Sequence, residues 1–183
     1  MNKWILGARP RTLPAAITPV LVAVAIAYPT LDLLNALLAL IVGLSLQIAV
    51  NYANDYSDGI KGSDANRIGP IRLVASGIAG AAQVKRAAFI AFGFAAFAGL
   101  YLSFRTSYWL IAIGAAAIIA AWRYTGGENP YGYRGLGEIY VFIFFGLVAT
   151  LGTYFGQTGE ITIEATMAAI SNGAISCALL AVN

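Results

Sequence analysis

The chain has 183 residues, of which 60% are hydrophobic and 10% are charged, and its net charge is +3. Soluble domains are ordinarily about half apolar and about one quarter charged, so this composition excludes an ordinary soluble protein and predicts a membrane protein. The chain has no histidine and a single cysteine, Cys177, which excludes a disulfide framework and leaves oxygen as the expected ligand of any bound metal.

Six stretches without charged residues are each about long enough to cross a bilayer as a helix. The fourth is the shortest and carries Tyr108 and Trp109 as possible interface anchors. These stretches predict an all-α integral membrane protein with about six transmembrane helices and no soluble domain. They cover residues 12–31, 33–54, 87–104, 106–122, 139–159 and 165–183.

The first stretch has an alternative reading as a cleaved signal peptide. It follows a basic start and contains small residues at Ala25 and Ala27. Pro14 and Pro19 interrupt its apolar run, and five more stretches follow it. These features favour a first transmembrane helix.

The distribution of basic residues predicts an orientation. If the N-terminus is cytoplasmic, all 11 lysines and arginines except Arg105 fall on the cytoplasmic side. Such an excess of positive charge marks cytoplasmic loops. The longest connections, about 55–86 and 123–138, lie on the same side. We therefore expect a multi-pass protein of the cell membrane whose functional site faces the cytoplasm.

An acidic motif closes the second stretch. If the helix continues, Asn51, Asp55 and Asp58 lie at positions i, i+4 and i+7, which share one face. Asn54 lies beside that face.

The two glycines after this motif are expected to end the helix. Gly59 and Gly62 would break it, and the chain could then fold back to bring Asp64 near the other acids.

Carboxylates this close repel one another unless cations share the site. Magnesium prefers oxygen ligands and often bridges carboxylates to substrate phosphates, and basic side chains in the same loop would help to bind a diphosphate. Those side chains are Lys61, Arg67 and Arg72. The alternative is a solvated loop that carries both charges. Ionisable groups near membrane depth are more often functional, because burying them is unfavourable.

The motif resembles the first motif of the UbiA-type intramembrane prenyltransferase superfamily, Asn-Asp-x-x-Asp-x-x-x-Asp. Asn54, Asp55 and Asp58 match it, whereas Gly62 stands at the last position and Asp64 follows two residues later. This displacement is similar to the branch of 1,4-dihydroxy-2-naphthoate polyprenyltransferases. Three further segments resemble the same branch, namely residues 8–14, 67–77 and 124–138.

The resemblance implies a prenyltransferase, an enzyme that transfers alkyl or aryl groups. It would move a polyprenyl group from polyprenyl diphosphate to 1,4-dihydroxy-2-naphthoate, with decarboxylation, and so form demethylmenaquinone for menaquinone biosynthesis. Magnesium is the implied cofactor, the lipid bilayer is the implied surrounding, and no nucleic acid is expected as a partner. The alternatives are a sibling enzyme with another acceptor and a fragment of a cation-coupled transporter.

The resemblance also implies roles for individual residues. The magnesium ligands would be Asn54, Asp55, Asp58 and Asp64, and the catalytic groups Asp55, Asp58 and Lys61. Asn51 would support them, and Arg9 or Arg11 would hold the acceptor's carboxylate. Contact with lipid headgroups is the alternative for the basic residues, and an interfacial aromatic belt is the alternative for the tyrosines. The groups expected to contact phosphate are Lys61, Arg67, Arg72 and Arg134, and those expected to line the path of the carbocation are Tyr124, Tyr131 and Tyr133.

One departure from the superfamily is large. Its members have about nine transmembrane helices and a second aspartate motif after the sixth, whereas this sequence stops at Asn183 inside an apolar run. The resemblance therefore predicts that residues 1–183 form one domain that is the N-terminal part of a larger bundle. Such a part is expected to be inactive by itself.

Overall fold

The computed structural model describes residues 2–62 and 71–182. Over these two ranges the chain is helical and contains no strand, which confirms the predicted all-α class. Two short 3-10 turns, Pro10–Thr12 and Tyr131–Arg134, join longer elements. The helices are α1 (Lys3–Ala8), α2 (Pro14–Ala27), α3 (Leu33–Lys61), α4 (Ala81–Arg105), α5 (Leu110–Arg123), α6 (Gly137–Thr158) and α7 (Ile163–Val182).

Four of the described helices are long and apolar enough to cross a membrane, namely α3, α4, α6 and α7. A fifth span arises if Lys3–Thr12 and Pro14–Ala27, which meet at 50°, act as one bent helix. Helix α5 has 14 residues and so extends about 21 Å, less than the hydrocarbon core of about 30 Å. The chain is therefore a multi-pass membrane protein, and the predicted count of six spans stays a prediction.

Helix α3, which ends with the acidic motif, is longer than a membrane crossing requires. Its 29 residues extend about 44 Å, which exceeds the hydrocarbon core of about 30 Å by between two and three turns. Asp32 caps its start, and Gly62 ends it with a left-handed φ of 72°. Gly59 lies inside the helix, so the predicted break at that residue is wrong. We call the end of the bundle near Gly62 the site end and the end near Asp32 the far end.

Small residues allow α6 and α7 to pack closely. A Cβ atom at Gly146 would lie 2.5 Å from the Cα atom of Gly173 and 2.8 Å from the carbonyl oxygen of Ala169. Gly146 lies in a π-helical segment, Phe142–Val148, in the middle of α6. Close approach at small residues is a common way to join membrane helices.

Gly146→Ala is expected to lower the stability of the protein by about 1–3 kcal/mol, because the added methyl group must push two backbones apart. Thermal unfolding in detergent would measure the change. Gly93→Ala is the matched control, since a Cβ atom at Gly93 meets no atom within 4 Å. Equal unfolding temperatures for the two variants would contradict the close packing of α6 and α7.

A polar cluster closes the far end of the bundle. Arg105 at the end of α4 donates to Asp32 Oδ2 and to Asn35 Oδ1, each at 2.7 Å. Asn35 donates to the carbonyl oxygen of Gly156 at 2.7 Å, and the backbone amide of Asp32 donates to Gln157 Oε1 at 2.8 Å. The cluster thus joins the starts and ends of three helices, α3, α4 and α6.

This cluster makes the stability of the folded protein depend on pH in the acidic range. The backbone amide of Asn35 and, to a smaller extent, Arg105 hold the pKa of the Asp32 carboxyl below its usual range. The resulting contribution to stability is present above the unfolded-state pKa of about 4 and is lost as the pH falls through the folded-state value. We expect Asp32→Asn to lower the unfolding temperature at pH ~7 and to flatten its dependence on pH below about 5. Parallel curves for both proteins would contradict this role.

Candidate active site

The acidic motif forms the last three turns of α3, and its side chains differ in whether they reach the cavity. Asn51, Asn54 and Asp58 line a large cavity inside the bundle. Asp55 lies outside the cavity wall and is fully buried, with 0% of its surface exposed. The cavity wall is therefore formed by positions i, i+3 and i+7. Helix α3 continues through the motif, so Asn51, Asp55 and Asp58 share one face as predicted, but Asp55 lies at the edge of that face away from the cavity. Asn54, about 100° of rotation from Asp55, lies on the cavity side instead.

Asp55 binds the backbone of the segment that follows the motif. Its Oδ2 accepts the amide of Leu73 at 2.8 Å, and its Oδ1 accepts the amide of Val74 at 3.0 Å. Both carboxylate oxygens are thus engaged by backbone groups. The predicted catalytic and metal-binding role of Asp55 stays a prediction.

Asp58 lies between a cation and a phenol at the cavity wall. The Arg72 guanidinium lies 3.4 Å from Asp58 Oδ2, and both side chains are buried. The hydroxyl of Tyr133 donates a short hydrogen bond to Asp58 Oδ1. This carboxylate therefore faces the cavity with its charge partly balanced.

Asn54 is oriented by the connection between α5 and α6. Its amide oxygen accepts the Thr125 hydroxyl at 2.8 Å. The Lys61 ammonium donates to the carbonyl oxygens of Thr125 at 2.8 Å and Gly127 at 3.1 Å, and lies 5.0 Å from the centroid of the Tyr133 ring. Lys61 thus ties the end of α3 to residues 125–133 instead of lining the cavity, and its predicted catalytic role stays a prediction.

Asn51 holds the N-terminal segment against α3. Its amide nitrogen donates to the carbonyl oxygen of Ala8 and to the Thr12 hydroxyl, each at 2.9 Å. Gln47, one turn earlier, donates to Asn51 Oδ1 at 3.3 Å and to Thr12 at 3.2 Å. Both amides therefore join helices, and they fix the bend between α1 and α2.

This bend brings Arg9 and Arg11 to the cavity. Arg9 has a φ of 50°, in the left-handed region that non-glycine residues rarely adopt. Such backbone strain is tolerated where the surroundings hold the residue, and it is concentrated at functional sites. The two arginines add positive charge near Asn54 and Asp58.

The cavity has a volume of about 1000 Å³, at the upper end of ordinary ligand pockets. It is lined by Trp109, just before α5, and by Tyr124, just after it, so it runs along the whole of that helix, about 21 Å. Its site end is polar and mostly basic. The remaining wall is mainly apolar and includes Leu100, Ile113, Phe144, Phe145, Leu147 and Leu151.

A column of aromatic rings lies beside the polar end. The Tyr131 and Tyr140 rings stack with centroids 3.7 Å apart, and Tyr124 and Phe144 extend the column at 5.5 and 6.2 Å. The Tyr131 hydroxyl donates to the carbonyl oxygen of Ala120 at 3.0 Å. Burial raises the pKa of Tyr131, so this phenol stays neutral at physiological pH.

Two of these contacts were not anticipated from the sequence. Tyr140 stands in an apolar run and resembles a lipid-facing residue, and Thr125 resembles an ordinary loop residue. The sequence does contain a signal for the aromatic column, because four tyrosines fall between residues 124 and 140. A connection between helices does not require so many aromatic side chains.

Besides Asp55 and Lys61, one more predicted residue in the described part of the chain does not line the cavity, and two others cannot be compared with it. Arg134 is exposed and lies outside the cavity wall. Asp64 and Arg67 fall outside the described residues. Their predicted contacts with metal and phosphate stay predictions.

The oxygens at the polar end fit a magnesium ion that also binds phosphate. Asn54 and Asp58 are one helical turn apart and both line the cavity. Amide and carboxylate oxygens are suitable ligands, and magnesium is commonly bound by one or two carboxylates together with substrate phosphates. Across residues 2–62 and 71–182, no group of three acidic, histidine or cysteine side chains forms an all-protein metal site.

Comparison with known proteins decides the family. The sequence model of the UbiA prenyltransferase family matches residues 16–183. The chain belongs to the UbiA prenyltransferase family. Among curated UbiA relatives, 1,4-dihydroxy-2-naphthoate octaprenyltransferase of Mycobacterium tuberculosis is 49% identical over 183 residues, which cover 99% of this chain and 63% of that protein.

More distant relatives carry the same name. The Escherichia coli protein is 38% identical, over 98% of this chain and 61% of its own length, and the Bacillus subtilis protein is 33% identical, over 88% and 53%. This UbiA chain thus spans about 60% of the length of the first relatives that it matches. No solved structure matches it significantly.

Proposed function

We propose that this protein transfers a polyprenyl group from polyprenyl diphosphate to 1,4-dihydroxy-2-naphthoate, with loss of carbon dioxide, and so contributes demethylmenaquinone to menaquinone biosynthesis. The cavity carries the proposal, because it joins a basic end, where Asp58 is the acid among the described lining residues, to a long apolar chamber. A polyprenyl diphosphate has the same division into an anionic head and an apolar tail. The names of the relatives support the choice of acceptor.

The polar end suits the diphosphate. Arg72, buried beside Asp58, supplies a planar guanidinium that can bind phosphate oxygens through two hydrogen bonds. Asn54 and Asp58 would hold magnesium together with those oxygens. Bound magnesium would neutralise the diphosphate and so assist its departure.

The aromatic column suits the reacting carbon. The reaction breaks the bond between the allylic carbon and the diphosphate oxygen and forms a carbon–carbon bond to the ring, whose carboxylate leaves as carbon dioxide. The allylic carbon gains positive charge as the bond breaks, and the faces of aromatic rings attract cations. Tyr124, Tyr131 and Tyr140 lie beside the polar end. Partial burial raises the pKa of the Tyr131 phenol, so this group adds no negative charge there.

The two N-terminal arginines suit the acceptor. Arg9 and Arg11 line the same cavity, and a guanidinium can hold a carboxylate in a fixed orientation. The Asn51 and Gln47 contacts with Thr12 keep this segment in place. The acceptor's ring would then lie between the arginines and the allylic carbon.

The site end would face the cytoplasm of a cell membrane. Lys3, Lys85 and Arg123 lie at this end, whereas Arg105 lies at the far end with Asp32. Positive charge concentrates on the cytoplasmic side of membrane proteins. Soluble 1,4-dihydroxy-2-naphthoate would then enter from the cytoplasm, and the prenyl tail would enter from the bilayer.

Membranes that contain the full-length gene product test the proposed function. With magnesium, a polyprenyl diphosphate and 1,4-dihydroxy-2-naphthoate labelled in its carboxyl group, we expect a prenylated naphthohydroquinone, which air oxidises to the naphthoquinone during extraction, and one equivalent of labelled carbon dioxide. Membranes without the gene and membranes treated with a chelator are the controls. A prenylated product that keeps the carboxylate, or preference for 4-hydroxybenzoate, would contradict the proposed acceptor.

A further inference from the structure

Asp55 differs from the other acid of the motif in what it binds. It is fully buried, whereas Asp58 lines the cavity. Its two oxygens accept the consecutive backbone amides of Leu73 and Val74. A buried carboxylate is stable only when such bonds replace its lost hydration, and charge-assisted bonds of this kind are strong and directional.

The segment bound by Asp55 is compact and closely packed. The amide and hydroxyl of Ser76 both donate to the carbonyl oxygen of Arg72, and the amide of Ala79 donates to that of Leu73 at 3.0 Å. The Leu73 side chain is fully buried. These contacts make residues 72–79 a rigid unit, which we call the 72–79 turn.

The 72–79 turn also needs a glycine on α3. A Cβ atom at Gly59 would lie 2.6 Å from Val74 Cβ, so only a glycine permits this approach. Gly59 lies one helical turn after Asp55, on the same side of α3. Asp55 and Gly59 therefore hold the turn together, one by attraction and the other by leaving space.

The position of the turn determines where Arg72 can reach. Arg72 immediately precedes the two amides that Asp55 binds, and its guanidinium lies 3.4 Å from Asp58 on the cavity side. A shift of the 72–79 turn would move this guanidinium relative to Asp58. The two acids of the motif are thus one helical turn apart and contact neighbouring residues of the same segment, Asp58 on the cavity side and Asp55 away from it.

We propose that Asp55 is a positioning residue, which holds the 72–79 turn so that Arg72 can bind the diphosphate, and that it is not a magnesium ligand. This inference rests on the proposed function, because it assigns Arg72 to the donor's diphosphate. Residues that orient the groups in contact with a ligand commonly change affinity or activity by about 10–100-fold when they are replaced.

The test uses the full-length protein in detergent with inorganic diphosphate as the probe and no acceptor. Binding is read from the rise of the unfolding temperature with diphosphate concentration. We expect Asp55→Asn and Arg72→Gln each to weaken diphosphate binding by about tenfold or more. The double variant should bind no more weakly than Arg72→Gln alone, because residues that act through one contact are not additive. Additive losses, or unchanged affinity in Asp55→Asn, would overturn the proposal.

Magnesium distinguishes a positioning residue from a ligand. The concentration of magnesium that half-activates turnover should stay within about twofold of wild type in Asp55→Asn, and rise by about tenfold or more in Asp58→Asn. A comparable rise in both variants would overturn the proposal.

If Asp55→Asn does not fold, Gly59→Ala displaces the same turn while keeping the carboxylate. It should weaken diphosphate binding, whereas Gly93→Ala should not, and unchanged affinity in Gly59→Ala would overturn the proposal.

The outcome can be separated from that of the proposed function. If wild type binds diphosphate in an Asp55-dependent way but yields no prenylated naphthoquinone, the positioning role stands and the acceptor is wrong. If product forms while Asp55→Asn retains normal diphosphate affinity, the positioning role alone is wrong.

Discussion

Asp58→Ala is expected to lower kcat/KM for prenyl transfer by about 100-fold or more, because it removes the acid that faces the cavity one turn from Asn54. Removing this carboxylate would eliminate a proposed magnesium ligand and the ion pair between Asp58 and Arg72. Initial rates in membranes that contain equal amounts of folded protein would measure the change.

The matched control is an acid at the other end of the bundle. Glu160 is exposed, just after α6, and Glu160→Gln should retain the wild-type rate. Asp58→Asn keeps the size of the side chain and should restore little activity, since an amide has no negative charge for magnesium. Wild-type turnover in Asp58→Ala would contradict the assigned site.

Arg72→Ala is expected to raise the KM for polyprenyl diphosphate by about 10–100-fold, with a smaller effect on the KM for the acceptor. The Arg72 side chain is 6% exposed and lies at the polar end, so its charge is poorly screened. Steady-state kinetics with each substrate varied in turn would separate the two constants.

Arg86 provides the comparison for this experiment. It is an exposed arginine in the first turns of α4 at the same end of the bundle, and Arg86→Ala should change neither constant. Arg72→Lys should recover only part of the affinity, because an ammonium cannot form the paired hydrogen bonds of a guanidinium. A larger effect on the acceptor's KM than on the donor's would reverse the roles proposed for Arg72 and Arg9.

The helices were largely predictable from the sequence, and their limits were less so. In a bilayer no water is present to bind the backbone, so an apolar stretch must satisfy its own backbone hydrogen bonds as a helix. Each of the six predicted stretches does contain a helix. Helix α4 begins at Ala81, six residues before the start of the predicted stretch 87–104. The difference arises because the prediction used uncharged stretches, whereas Lys85 and Arg86 lie inside the helix. Charged residues can extend a membrane helix into the headgroup region, and charge alone does not mark its first turn.

The orientation of the acids could not be derived from spacing. On a helix, Asn54 and Asp55 flank the line from Asn51 to Asp58 on its two sides, about 100° apart. Spacing alone therefore does not say which of the two reaches the cavity with Asn51 and Asp58. The choice depends on the 72–79 turn, which supplies two amides to Asp55, and on Thr125, which binds Asn54. Contacts between residues so distant in sequence are a property of the tertiary structure.

The position of the motif also bears on the transporter alternative. Asp58 lies three residues before Lys61, the last residue of α3, in a helix that is about 14 Å longer than the hydrocarbon core. Ion sites of secondary transporters typically lie near the bilayer midplane, at broken helices. A site at the end of a continuous helix suits a substrate whose charged head stays near water and whose tail enters the membrane.

A structure of the full-length protein with manganese and a non-reactive thiodiphosphate analogue of the donor tests the central claim most directly. We predict that the metal lies within about 2.2 Å of oxygens from Asn54 and Asp58, with Arg72 on the diphosphate and Asp55 still bound to the amides of Leu73 and Val74. A metal bound to the Asp55 carboxylate, or a diphosphate at the Trp109 end of the cavity, would contradict the account.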